Sequence, residues 1–69
     1  MPIIQVTLVA GRSETDVQTF IREVARLASR TLHAPLESVR VMVSEVPPSR
    51  FAVGDALKSD SAVLREAGA

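Results

Sequence analysis

In the opening stretch "MPIIQVTLVAGRS", a proline stands directly behind Met1. It carries chemistry only once that methionine is gone. Methionine is usually trimmed before a small residue, and Pro2 would then be N-terminal, its nitrogen a secondary amine that can hold or release a proton. To act as a base near neutrality the amine needs a lowered pKa, which burial and adjacent positive charge both supply. Arg12 also invites a chemical reading. It stands beside a predicted helix start, where positive charge opposes the helix dipole, and a residue that works against stability without evident return is a candidate for function. On residue type alone, Arg40 reads as a solvated residue facing out from a strand, and Phe51 as core packing. His33, in the last predicted helical turn, complements the dipole and reads as structural. Glu45 reads as a rim or interface charge.

The elements that must position these residues follow from periodicity. "PIIQVTLV" alternates as a strand, with Ile4, Val6 and Leu8 on one face and Ile3, Gln5, Thr7 and Val9 on the other. "AGRS" supplies a turn in which Gly11 is free to take positive φ, and Ser13 is placed as a helix N-cap with Asp16 three residues on. Val17, Phe20, Ile21, Val24, Leu27, Ala28 and Leu32 then recur by threes and fours, predicting a helix from Glu14 with one apolar stripe. Pro35 ends it near "LHAP". "SVRVMVSEV" is a second strand, with Val39, Val41 and Val43 on one face and Arg40, Met42 and Ser44 on the other. "PPSRF" breaks that strand, and "FAVGDAL" predicts a hairpin turning at Gly54 and Asp55. The last stretch, "KSDSAVLREAGA", has room for one helical turn or a frayed end.

Strand, helix, strand in this order is an α/β chain whose βαβ unit makes a parallel pair through a right-handed crossover. No repeat or linker interrupts it, so residues 1–69 read as a single domain. One helix covers one face of such a sheet, and the other face must meet another subunit. Size points the same way: a chain of 69 residues buries only about 60% of the surface its unfolded form exposes. With no cysteine, disulfides cannot help, and a single histidine cannot build a metal cage. Apolar residues make up 46% of the chain, more than so small a domain can hide, so an oligomer is expected.

Eight basic and eight acidic residues are scattered along the chain, leaving no electrostatic footprint for nucleic acid. Two Phe and no Trp or Tyr give no stacking platform for single strands. The apolar runs are too short to span a bilayer, and the start lacks the basic residues of a signal peptide, so a cytoplasmic protein is expected.

Several of these features, at these intervals, resemble the tautomerase superfamily, and within it the short-subunit 4-oxalocrotonate tautomerase family. The resemblance rests on the proline after Met1, "GRS" opening the helix, "IREV" within it, "APLESVRV" leading into the second strand, and the Phe51, Val53 and Gly54 pattern near the end. It runs from Pro2 to about Gly54. It implies a β-α-β subunit with a C-terminal hairpin, a four-stranded sheet completed by dimerisation, and a hexamer of three dimers with sites at subunit boundaries. Some relatives build the hexamer from two kinds of chain, so a homo-hexamer and a hetero-hexamer are both open.

The resemblance also implies roles. The family's general base falls on Pro2, its two arginines on Arg12 and Arg40, and its aromatic pocket wall on Phe51; Val9 and Val53 would add apolar lining. Arginine presents a flat fork of donors that binds a carboxylate at two points, and its charge would lower the pKa of the amine. A small carboxylate-bearing enol or dienol would be held between Arg12 and Arg40, with Arg40 stabilising the growing enolate charge. Pro2 would take a proton at one position and return it at another. That is a 1,3- or 1,5-keto–enol tautomerisation requiring no cofactor and no metal.

Related families share the proline but do other reactions. The trans-3-chloroacrylic acid dehalogenases add an arginine before the glycine turn and a water-activating glutamate near the hairpin. Val9 and Val53 stand at those positions here, which disfavours hydrolytic dehalogenation. The malonate semialdehyde decarboxylases use an acid before the second strand, and Glu37 lies in that neighbourhood, so a minor decarboxylase activity stays open. A non-catalytic oligomeric scaffold with the same fold is the remaining alternative.

Overall fold

Two parallel strands and the helix that links them form the frame. In this computed structural model, which describes residues 1–60, β1 (Ile3–Val9) lies beside β2 (Arg40–Val46) in an unbroken parallel register. Ile3 stands opposite Arg40, Val6 opposite Val43, and Val9 opposite Val46. The connection is the helix α1 (Glu14–Leu32), so the predicted βαβ unit is present.

Local chemistry accounts for both ends of the helix. Gly11 takes φ 137°, a conformation closed to residues with a Cβ, and turns the chain out of β1. Ser13 then caps the helix: its hydroxyl oxygen accepts the Asp16 N–H at 3.1 Å, as predicted, and Glu14 and Asp16 place negative charge in the first turn. At the far end the structure departs from expectation. His33 is not in the last helical turn but one residue past it, as the C-cap, in a left-handed conformation (φ 54°) usually given to glycine. The Ser29 hydroxyl donates to the Ala34 carbonyl at 2.6 Å and the Ala34 N–H to the Ser29 carbonyl at 3.0 Å, fastening the chain as it leaves the helix.

A single 3-10 turn (Leu36–Ser38) leads into β2, which begins two residues later than the strand read from sequence because Ser38 belongs to the turn. A second such turn (Pro48–Arg50) follows β2. The predicted hairpin is β3 (Ala52–Val53) against β4 (Ala56–Leu57), antiparallel, reversing through Gly54 at φ 62°. Lys58–Asp60 make a further 3-10 turn, and the rest of the segment read as a helical turn or frayed end lies outside the described residues.

What this frame lacks is a core. Val17 and Ala28, both on α1, are the buried apolar residues, and no large side chain is fully enclosed among the described residues. The predicted stripe on α1 is split. Ile21 and Val24 lie half-buried beside the buried Val17 and Ala28, whereas Phe20 is 41% exposed and Leu27 49% exposed. A sheet two strands wide is too narrow for the whole stripe. On β1 and β2 the half-buried residues include Ile4, Val6 and Leu8 with Val41 and Val43; the opposite face, with Ile3, Gln5, Thr7, Arg40, Met42 and Ser44, is open.

Candidate active site

The parallel register decides which candidate residues meet. Pro2 lies just before β1 and Arg40 opens β2, so the two main chains run side by side. The Arg40 N–H donates to the Pro2 carbonyl at 2.9 Å. This rung holds Pro2 by its carbonyl and makes no use of its nitrogen. Pro2 itself is half-buried.

Arg40 also sends its side chain backward along the chain. Its Nη1 donates to the Glu37 carbonyl at 2.8 Å, on the 3-10 turn before β2. That turn is closed by the Ser38 N–H and the Ser38 hydroxyl, both donating to the Pro35 carbonyl, at 3.0 and 2.7 Å. The Val39 N–H reaches the Leu36 carbonyl at 3.1 Å. Sequence reasoning considered Glu37 for its carboxylate, but in the structure its main-chain carbonyl meets Arg40 and the side chain stays exposed. Ser38 was missed altogether. The signal was Pro35 followed three residues later by a serine, a spacing suited to a tight turn.

Arg12 and Val9 sit at the other end of the sheet. Val9 closes β1 opposite Val46, and the Ala10 N–H donates to the Val46 carbonyl at 2.8 Å. Arg12 follows the Gly11 turn, exposed, directly before the helix cap. A strand of seven residues spans about 20 Å, far beyond the reach of an arginine side chain. Within one chain, therefore, Arg12 does not approach Pro2.

Phe51 and Val53 belong to the hairpin region that follows β2. The Phe51 N–H donates to the Pro48 carbonyl at 3.4 Å, and its carbonyl accepts the Lys58 N–H at 2.8 Å. Val53, opposite Ala56, is 69% exposed. One chain thus brings Pro2 and Arg40 together but sets Arg12 and Val9 apart from them, and it leaves Phe51 and Val53 uncovered. A shallow groove on α1, lined by Phe20, Glu23, Val24, Arg26, Leu27 and Arg30, includes none of these six.

Among the described residues no cluster of three or more His, Asp or Glu side chains is suited to a metal ion. No helix among them is long and apolar enough to cross a membrane.

Comparison with known proteins agrees with this architecture. Residues 2–61 match the family model described as tautomerase enzyme. The chain is 48% identical over 54 residues to a 2-hydroxymuconate tautomerase from Stutzerimonas stutzeri, covering 78% of this chain and 86% of the relative. A 2-hydroxymuconate tautomerase from Pseudomonas putida is 46% identical over the same coverage. Among solved structures, a 4-oxalocrotonate tautomerase homologue superposes with a TM-score of 0.82 at 38% identity, covering 88% of this chain and 97% of its own. A heterohexamer 4-oxalocrotonate tautomerase from Chloroflexus aurantiacus J-10-fl gives a TM-score of 0.81 at 28% identity, over 87% and 97%. With this strand-helix-strand frame, these matches establish that the chain belongs to the 4-oxalocrotonate tautomerase family of the tautomerase superfamily and is an isomerase that interconverts keto and enol forms.

Proposed function

We propose that the substrate is a small acid of the 2-hydroxydienoate or enol-pyruvate type and that Pro2, freed by removal of Met1, is the general base. The Pro2 nitrogen takes the proton of the enol hydroxyl, and the electron pair moves through the conjugated system as a dienolate. The same nitrogen then returns the proton to carbon, leaving the keto isomer. Arg40 binds carboxylate or enolate oxygen, Arg12 binds a carboxylate, and Phe51, Val9 and Val53 form the apolar wall. Atoms and charge balance without any cofactor.

The observation that carries this reading is the hydrogen bond from the Arg40 N–H to the Pro2 carbonyl. It fixes the residue bearing the base while leaving its nitrogen outside the ladder. The names of the relatives support the substrate class.

Because about 20 Å of strand separates Pro2 from Arg12, the working site draws on more than one chain. The open apolar residues Ile3, Phe20, Leu27 and Met42 supply surface for that association. A hexamer of three dimers, with residues 1–69 forming one domain in each chain, is the assembly we propose, in a cytoplasmic setting.

The test compares two preparations on 2-hydroxymuconate, one verified by intact mass to begin at Pro2 and one retaining Met1. The trimmed chain should turn the enol over, and the untrimmed one should be slower by about 100-fold or more, the scale of a lost general base. Equal rates would remove Pro2 from the mechanism. No turnover by either preparation would reject this substrate class.

A further inference from the structure

We infer that Ser38 is a positioning residue for Arg40: its hydroxyl closes the turn whose free carbonyl aims the Arg40 guanidinium. The inference rests on the reading of Arg40 as the group that binds substrate oxygen.

An arginine that opens a strand at the surface has several freely rotating bonds and loses much of that freedom when it binds an anion. Here the freedom is already restricted. Ser38 donates twice to the Pro35 carbonyl, through its N–H at 3.0 Å and its hydroxyl at 2.7 Å. Val39 uses the Leu36 carbonyl at 3.1 Å. The next carbonyl in succession, that of Glu37, is an end of the turn without a main-chain partner among the described residues, and Arg40 Nη1 takes it at 2.8 Å.

The kind of partner matters as much as the distance. Arg26 on the helix pairs with a carboxylate, Glu23, at 3.4 Å. Arg40 is held by a neutral carbonyl, and the Glu37 carboxylate forms no ion pair with it. An acidic partner would orient the guanidinium but also offset the charge that a substrate anion needs. A carbonyl orients it and leaves that charge whole. Nη1 spends one hydrogen on the turn, and the remaining donors of the fork stay available for two-point contact. Removing the Ser38 hydroxyl leaves the main-chain bond to Pro35 in place, so the turn should persist with the Glu37 carbonyl less firmly aimed.

The experiment is a double-mutant cycle on the assembled, trimmed enzyme with 2-hydroxymuconate. Ser38→Ala should lower kcat by about fivefold to tenfold, the scale of one lost hydrogen bond, and Ser38→Thr, which keeps the hydroxyl, should recover most of it. In the Arg40→Ala background Ser38→Ala should cost nothing further. If Ser38→Ala lowers kcat by the same factor in both backgrounds, Ser38 acts without Arg40 and the inference is wrong; a parental rate for Ser38→Ala overturns it as well. A parental rate for Arg40→Ala is a different result, since it rejects the site reading beneath the inference. An independent readout needs no variant: by 15N NMR the Arg40 guanidinium of the unaltered enzyme should rotate slowly compared with that of Arg22. Equal mobility overturns the inference even if Ser38→Ala does not assemble.

Discussion

Arg40 grips the chain in two directions, donating its main-chain N–H to the Pro2 carbonyl at 2.9 Å and its Nη1 to the Glu37 carbonyl at 2.8 Å. The first bond extends the parallel ladder past Ile3 to the residue that would bear the base. The second fixes the guanidinium to the turn that precedes β2. Disturbing β2 near its start should therefore affect two proposed functional groups at once.

Proton transfer through Pro2 makes a directional pH prediction. The base works only when neutral, so kcat/KM should rise with pH through an ionisation below that of an ordinary α-amino group, about 7.7 to 8.0. Pro2→Ala leaves a primary amine of different basicity and greater freedom, so activity should fall without vanishing. A profile flat from pH 5 to about 8 would count against an amine base.

The two arginines should separate in kinetics. Arg40→Ala should lower kcat and kcat/KM together by about 100-fold, as expected when a group stabilising the transition-state anion is lost. Arg12→Ala should act mainly by raising KM. It should also leave thermal stability unchanged or raise it slightly, by about 0.3 to 1 kcal/mol, because a positive charge leaves the helix N-terminus. Steady-state kinetics with a thermal melt on each variant would check both statements, and a melt lowered by Arg12→Ala would contradict the second.

Assembly should depend on the uncovered half of the α1 stripe. Leu27 is 49% exposed in one chain, and Leu27→Asp would place a charge among Phe20, Val24 and their counterparts on any chain packed there. Light scattering should find the parent as an oligomer and Leu27→Asp as a smaller species with activity lost. A parental mass for the variant would move the interface elsewhere.

Much of the fold was legible because it follows from short-range rules. Alternation gave both strands, spacing by threes and fours gave α1, Ser13 marked its start, and Gly54 marked the hairpin. His33 was misplaced by one residue because its left-handed cap is a backbone choice that glycine normally announces. The turn over Leu36–Ser38 has no periodic signature, so Ser38 was absorbed into the following strand. Which rib of the helical stripe would be covered depends on sheet width, a tertiary quantity that made Phe20 and Leu27 look like core. For the site, residue types identified Pro2 and Arg12 as candidates. The strand between them already sets these two apart, and the parallel register adds that Arg40 is the residue lying beside Pro2.

That separation implies a genetic behaviour. In the proposed assembly, a chain lacking a working Pro2 would still offer an intact Arg12 to a neighbour, and a chain lacking Arg12 would still offer an intact Pro2. Two alleles, each impaired when expressed alone, should then complement one another when co-expressed, because some sites in the mixed particles draw each residue from the undamaged copy. A single defective allele should conversely inactivate only the sites to which it supplies the lost residue, so its dosage effect should match its share of the protein.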